Sequence, residues 1–149
     1  MIKSNKKEII NLCLANQKEQ IDNIEKRVNA INDDAISHNQ SASQSEDRTA
    51  GKVELLNALR TELDFAKQEM AYLKNIDPLI ENTNISLGAI VITNQLTFFI
   101  AISSEKIEVN GNEIVCISPK APIYQVMKGL QKGASFAYNE MNYEIEEIQ

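Results

Sequence analysis

Few side chains in this chain are equipped for chemistry. It holds one histidine, His38, and two cysteines, Cys13 and Cys116. A cysteine nucleophile needs a base or a cationic neighbour to hold its thiolate. His38 is not near either cysteine in sequence. It lies in "HNQSASQSEDRTAGK", residues 38–52, where no apolar residue is larger than alanine. A lone histidine on such a stretch is a solvated one. The cysteines stand about a hundred residues apart, one on a helical stripe and one in an apolar run. They read as two reduced, buried thiols. The other reactive groups in the polar stretch are Glu46 and Asp47. Ser43-Gln44-Ser45-Glu46 fits the S-x-x-E capping box, with Ser43 capping a helix and Glu46 reaching back to the Ser43 N–H. Both carboxylates also suit the positive end of a helix dipole. That explains them structurally, without a function.

The elements that position this stretch come from two heptad patterns. Ile10, Leu14, Ile21, Ile24, Val28, Ile31 and Ala35 form a seam broken at Gln17. After the polar stretch, Leu56, Leu59, Leu63, Ala66, Met70 and Leu73 repeat it. Asp77-Pro78 is expected to end the second helix, because the residue before proline is pushed out of the α region. Two such helices joined by a short connection fold back as an antiparallel hairpin, in preference to a dimeric coiled coil of separate chains. With roughly 30 residues per arm, the hairpin would be about 45 Å long. It takes residues 1–78, with its tip near 38–50, and the chain is expected to be a monomer. Whether Ile9, Leu12 and Leu55, which lie off the seam, pack on a head domain or on a second chain stays open.

After Pro78 the period changes. "ISLGAIVIT" and "LTFFIAIS" are β-rich runs separated by Asn94-Gln95. "KIEVNGNEIVCIS" places Asn110-Gly111 between two β-rich arms, the signature of a type I′ hairpin. "PIYQVMKGL" reads as a short helix with Pro122 in its first turn and Gly129 near its end. "ASFAY" and "NYEIEEI", joined by "NEM", complete the order: four strands, a helix, two strands. The fold class is therefore α+β, a helical hairpin followed by a small sheet domain over residues 79–149. Net charge is −6, with four Lys and eight Glu in residues 79–149. Neither half carries the basic patch of a phosphate-binding domain, so direct nucleic-acid binding is not expected. "MIKSNKKEIINLCLANQ" lacks the apolar core of a signal peptide, and no apolar run approaches a membrane span. A cytoplasmic location is expected.

The last third of the chain resembles a known family. Gly88-Ala89-Ile90-Val91 matches the G-[AS]-x-V start of the C-terminal domain of the bacterial Gre transcript-cleavage factors. Ile117, Ser118, Pro122, Ile123, Met127 and Gly129 match that domain's I-S-x-x-S-P-[LI]-x-x-x-[LI]-x-G block, and Tyr143, Ile145 and Ile148 its closing y-x-I-x-x-I strand. The family also carries an N-terminal helical hairpin of about this length.

The resemblance implies an FKBP-like C-terminal domain that docks on the rim of the RNA polymerase secondary channel, here through Ala121, Pro122, Ile123 and Gly129. It implies a hairpin that enters the channel and a tip that reaches the polymerase active centre. Acidic tip residues there help hold a second Mg²⁺, so that the polymerase cuts backtracked RNA. Carboxylates are hard oxygen ligands suited to Mg²⁺, and a second metal activates water for in-line attack.

By the resemblance, Glu46 and Asp47 would be the metal-proximal pair, sharing Mg²⁺ with the polymerase. The factor would have no tightly bound cofactor and no catalysis of its own. The family tip reads D-x-x-E-N; here Ser43 replaces the first acid and Asp47 adds one. Adjacent residues do not share a helix face, so Glu46 and Asp47 can grip one ion only on irregular chain. Ala121 stands where the family has Ser. Such a tip suits a modulator, stimulating or inhibiting. An FKBP-like fold does not bring isomerase activity with it, and this domain lacks Trp and Asp. The alternative is a non-enzymatic coiled-coil adaptor with another partner.

Overall fold

A computed structural model describes residues 6–37 and 42–149, with side chains at 6–32 and 51–149. Two long helices, α1 (Lys6–Ser37) and α2 (Ala42–Lys74), precede the strands β1 (Ile90–Thr93), β2 (Thr97–Ile100), β3 (Ile107–Val109) and β4 (Asn112–Ile117). A short helix α3 (Pro122–Met127) and the strands β5 (Ser135–Tyr138) and β6 (Met141–Ile148) follow. The chain is α+β, a helical hairpin and a six-stranded sheet. None of the described helices is long and apolar enough to cross a membrane.

The compact units divide the chain elsewhere than at Pro78. One comprises Asn16–Met70, the other Met1–Ala15 with Ala71–Gln149. The reason is the width of the apolar stripe at the start of α1. Ile9 and Cys13 lie beside the seam residue Ile10, and all three are buried with Leu73 against Ile90, Phe99, Ile114 and Cys116. A stripe this wide suits a sheet face better than a single helix seam. Ile9 thus packs on the head, whereas Leu12 and Leu55 stay exposed.

In the Asn16–Met70 unit the seam is as expected. Ile21, Ile24 and Val28 bury against Leu59 and Ala66, flanked by Ile31, Leu56, Leu63 and Met70. Gln17 fills the break in the pattern. Its side chain is buried, and Nε2 donates to the Ala66 carbonyl at 2.8 Å. A residue early in α1 meeting one late in α2 sets the antiparallel sense. Ala35 and the polar stretch through Ala50 have side chains outside those described. The helix ends differ from expectation. α2 begins at Ala42, ahead of Ser43, so Ser43 is inside the helix and its cap lies outside the described residues. Nothing between Ala42 and Ala50 breaks a helix, and Ala, Gln, Glu and Arg favour one. At the other end α2 stops at Lys74, three residues before Asp77. Asp77 instead makes a turn, its Oδ1 accepting the Leu79 N–H at 2.9 Å.

In the other unit the sheet order is β3-β4-β2-β1-β6-β5, with β2 and β4 parallel and all other pairs antiparallel. The sheet is a middle layer. Ile90, Phe99 and Cys116 face the helix bases, while Val91, Phe98 and Ile117 face a second core with Tyr124, Met127, Phe136, Tyr143 and Ile145. Burial on both faces is why β1, β2 and β4 read as unbroken apolar runs rather than alternating ones. The Asn110-Gly111 turn has φ of 52° and 80° between the paired Val109 and Asn112, as type I′ requires. Asn139-Glu140, also at positive φ, forms the second two-residue turn, so Met141 already belongs to β6 and pairs with Tyr138. The register of β6 on β1 shifts at Ile92/Thr93. That bulge explains the uneven spacing of Tyr143, Ile145 and Ile148: an extra residue resets the alternation, and all three still reach the second core.

Candidate functional site

The block around α3 is built on a tight turn. The Ala121 N–H donates to the Ser118 carbonyl at 2.9 Å, and Ser118 Oγ accepts the Lys120 N–H at 3.1 Å. Ala121 is extended (φ −67°, ψ 139°) and gives α3 no side-chain cap. Pro122 starts the helix, where its missing N–H costs nothing. Tyr124 and Met127 anchor α3 in the second core. The opposite face stays in solvent, with Pro122 exposed, Val126 44% exposed and Ala121 and Ile123 half-buried.

The structure therefore brings Ala121, Pro122 and Ile123 together at one end of α3. It puts Gly129 past the other end. Gly129 has φ of +77°, and its N–H donates to the Ile85 carbonyl at 2.9 Å. A left-handed backbone there explains the glycine by itself. Three of the four lysines of residues 79–149, Lys120, Lys128 and Lys132, bracket α3 in sequence. The small apolar face thus lies on the least acidic segment of an acidic domain.

Glu46 and Asp47 both lie on the helical backbone of α2, not on irregular chain, and their side chains lie outside those described. His38 is outside the described residues altogether. Among the described residues, no three His, Cys, Asp or Glu side chains gather as metal ligands would. An open hollow beside β5 and β6 is floored by Phe136 and Tyr143, stacked at 4.9 Å, and rimmed by Asn94, Asn142 and Glu144. Asn94 is spoken for, since its Oδ1 accepts the Glu144 N–H at 2.8 Å. Its other lining residues are Ser135 and Ala137.

Two sites escaped the sequence reading. The Cys13 and Cys116 sulfurs lie 3.5 Å apart, both buried and both free. Their hydrogen bond and their burial push the Cys116 thiol far up, so it stays protonated at neutral pH. Their periodicities placed each residue on an apolar face, but nothing in the sequence paired them. The other is Lys6, buried at the start of α1, whose Nζ donates to the Ile80 carbonyl at 2.7 Å and to Asn82 Oδ1 at 2.9 Å. Burial holds its pKa below the usual lysine value, against the opposing pull of Asp77 and Glu81. A lysine in a polar N-terminal segment carries no sequence signal of such a role.

No protein-family model matches the chain, and no curated protein matches it. Among solved structures it is similar to GreA factor homolog 1 of Thermus thermophilus. That likeness covers 95% of this chain and 93% of that one, at 14% identity and a TM-score of 0.35.

Proposed function

We propose that the protein is a Gre-like regulator of transcription elongation that binds RNA polymerase. In this reading the sheet domain is FKBP-like and docks on the rim of the secondary channel, and the hairpin enters the channel. There it modulates transcript cleavage by the polymerase and catalyses nothing itself. The observation that carries the reading is the ordered set of family-like residues on a chain that also holds a long helical hairpin. Gly88-Ala89-Ile90-Val91 opens β1, Ile117 to Gly129 spans the end of β4 and all of α3, and Tyr143, Ile145 and Ile148 lie on β6. The exposed face of Pro122, with half-buried Ala121 and Ile123 beside it, is the proposed docking surface, and Gly129 shapes the turn behind it.

At the tip, Glu46 and Asp47 are the proposed partners of a Mg²⁺ shared with the polymerase. Their helical backbone favours one of the two carboxylates on the ion, not both. The protein would act as a cytoplasmic monomer.

The test is capture of RNA polymerase from the source organism by the folded protein. Binding at micromolar concentration is expected, and Ile123→Glu should weaken it at least tenfold, the order of one desolvated interface contact. No capture at that concentration would leave the adaptor reading in its place. On a backtracked elongation complex with Mg²⁺, wild-type protein should change the rate of transcript shortening. If a Glu46→Ala, Asp47→Ala double variant changes it equally, the tip carboxylates have no metal role.

A further inference from the structure

The fold joins two thiols that the chain keeps 103 residues apart. Cys13 sits on the first turns of α1 and Cys116 on β4, a strand flanked on both sides by β2 and β3. Both are buried, at 0% and 4% exposure, in a core otherwise aliphatic and aromatic. Packing alone would be served by any aliphatic pair. A sulfur–sulfur contact of 3.5 Å has to shorten by only about 1.5 Å to reach the length of a disulfide, a step within reach of side-chain rotation.

We propose that Cys13 and Cys116 form a reversible intrachain disulfide when the protein meets a peroxide, fastening the base of α1 to β4. The proposal does not depend on the polymerase reading. Cys13 is the first to react, because a helix end opens more easily than a strand paired on both edges. The Cys13 thiol gives up its proton, its thiolate attacks one oxygen of hydrogen peroxide, the O–O bond breaks, and the departing hydroxide takes that proton, leaving the Cys13 sulfenic acid and one water. The Cys116 sulfur then attacks the Cys13 sulfur. The S–O bond breaks, and the hydroxide leaves with the Cys116 proton as a second water. Two thiols have lost two protons and two electrons, and the peroxide has taken up both to become two waters. A thiol reductant reverses the bond by exchange.

The experiment uses the full chain, reduced and folded, exposed to hydrogen peroxide in native buffer. Peptide mapping separates cysteine chemistry from methionine oxidation. The expected product is a monomer lacking free thiols, with a Cys13–Cys116 cross-linked peptide about 2 Da lighter than the two reduced peptides together. Dithiothreitol should restore both thiols. The oxidised chain should melt several degrees higher, because closing so long a loop restricts the unfolded state. Sulfinic or sulfonic acid at either cysteine, a covalent dimer, or two intact thiols under peroxide that oxidises free cysteine would each overturn the proposal.

Discussion

The two compact units bury their apolar residues in different ways. In Asn16–Met70 a single seam between two helices hides Ile21, Ile24, Val28, Leu59 and Ala66, and most of the other described side chains are exposed. In the other unit a sheet is covered on both faces, with Phe98 turned into one core and Phe99 into the other. Residues with neighbours on all sides cannot relax when one is removed, whereas a two-helix seam can close partly around a gap. The head should therefore be the more stable and the more sensitive to truncation.

The sharpest way to break that comparison is a matched pair of truncations. Phe99→Ala should cost about 3–5 kcal/mol and Leu59→Ala about 2–3 kcal/mol, measured by denaturant unfolding followed by circular dichroism. Hydrogen exchange on the Leu59 variant should quicken within residues 16–70 and leave β1 and β2 protected. Uniform quickening would mean that the two units unfold as one.

A smaller effect is expected at the edge of the head. Lys6→Ala removes two hydrogen bonds that hold the start of α1 to residues 80 and 82. It should cost about 1–2 kcal/mol and expose Cys13 to a thiol reagent under native conditions faster than in the wild type. An unchanged labelling rate would show that Lys6 does not guard the thiol pair.

The smallest change lies in the arm. Gly51 stands inside α2 with open space where a Cβ would go. Gly51→Ala should add about 0.5–1 kcal/mol, read as a higher melting temperature. A loss of stability would mean that the helix needs its glycine.

Local patterns in the sequence carried much of this fold because they reflect local physics. Heptad spacing marked Ile21 to Ile31 and Leu56 to Met70 as one seam. Asn110-Gly111 marked a hairpin because so few residues tolerate positive φ. Helix ends were less legible, because neighbouring residues of similar preference can each take the boundary: α2 already includes Ala42 and stops at Lys74, short of Asp77. The candidate docking block was legible as a motif, but its division into an exposed apolar end and a glycine turn became visible only with α3 in place.

The sequence by itself determined the element order, the helical hairpin, the α+β class and the apolar character of the central strands. Each follows from interactions a few residues apart or from the period of burial. Only the tertiary structure decided that β2 and β4 pair in parallel, that the base of α1 belongs to the head, that Gln17 bonds across the seam, and that Cys13 meets Cys116. Those facts depend on which distant segments share a core. Residue preference and spacing are blind to that, because a side chain's periodicity says which face it buries and not what it buries against.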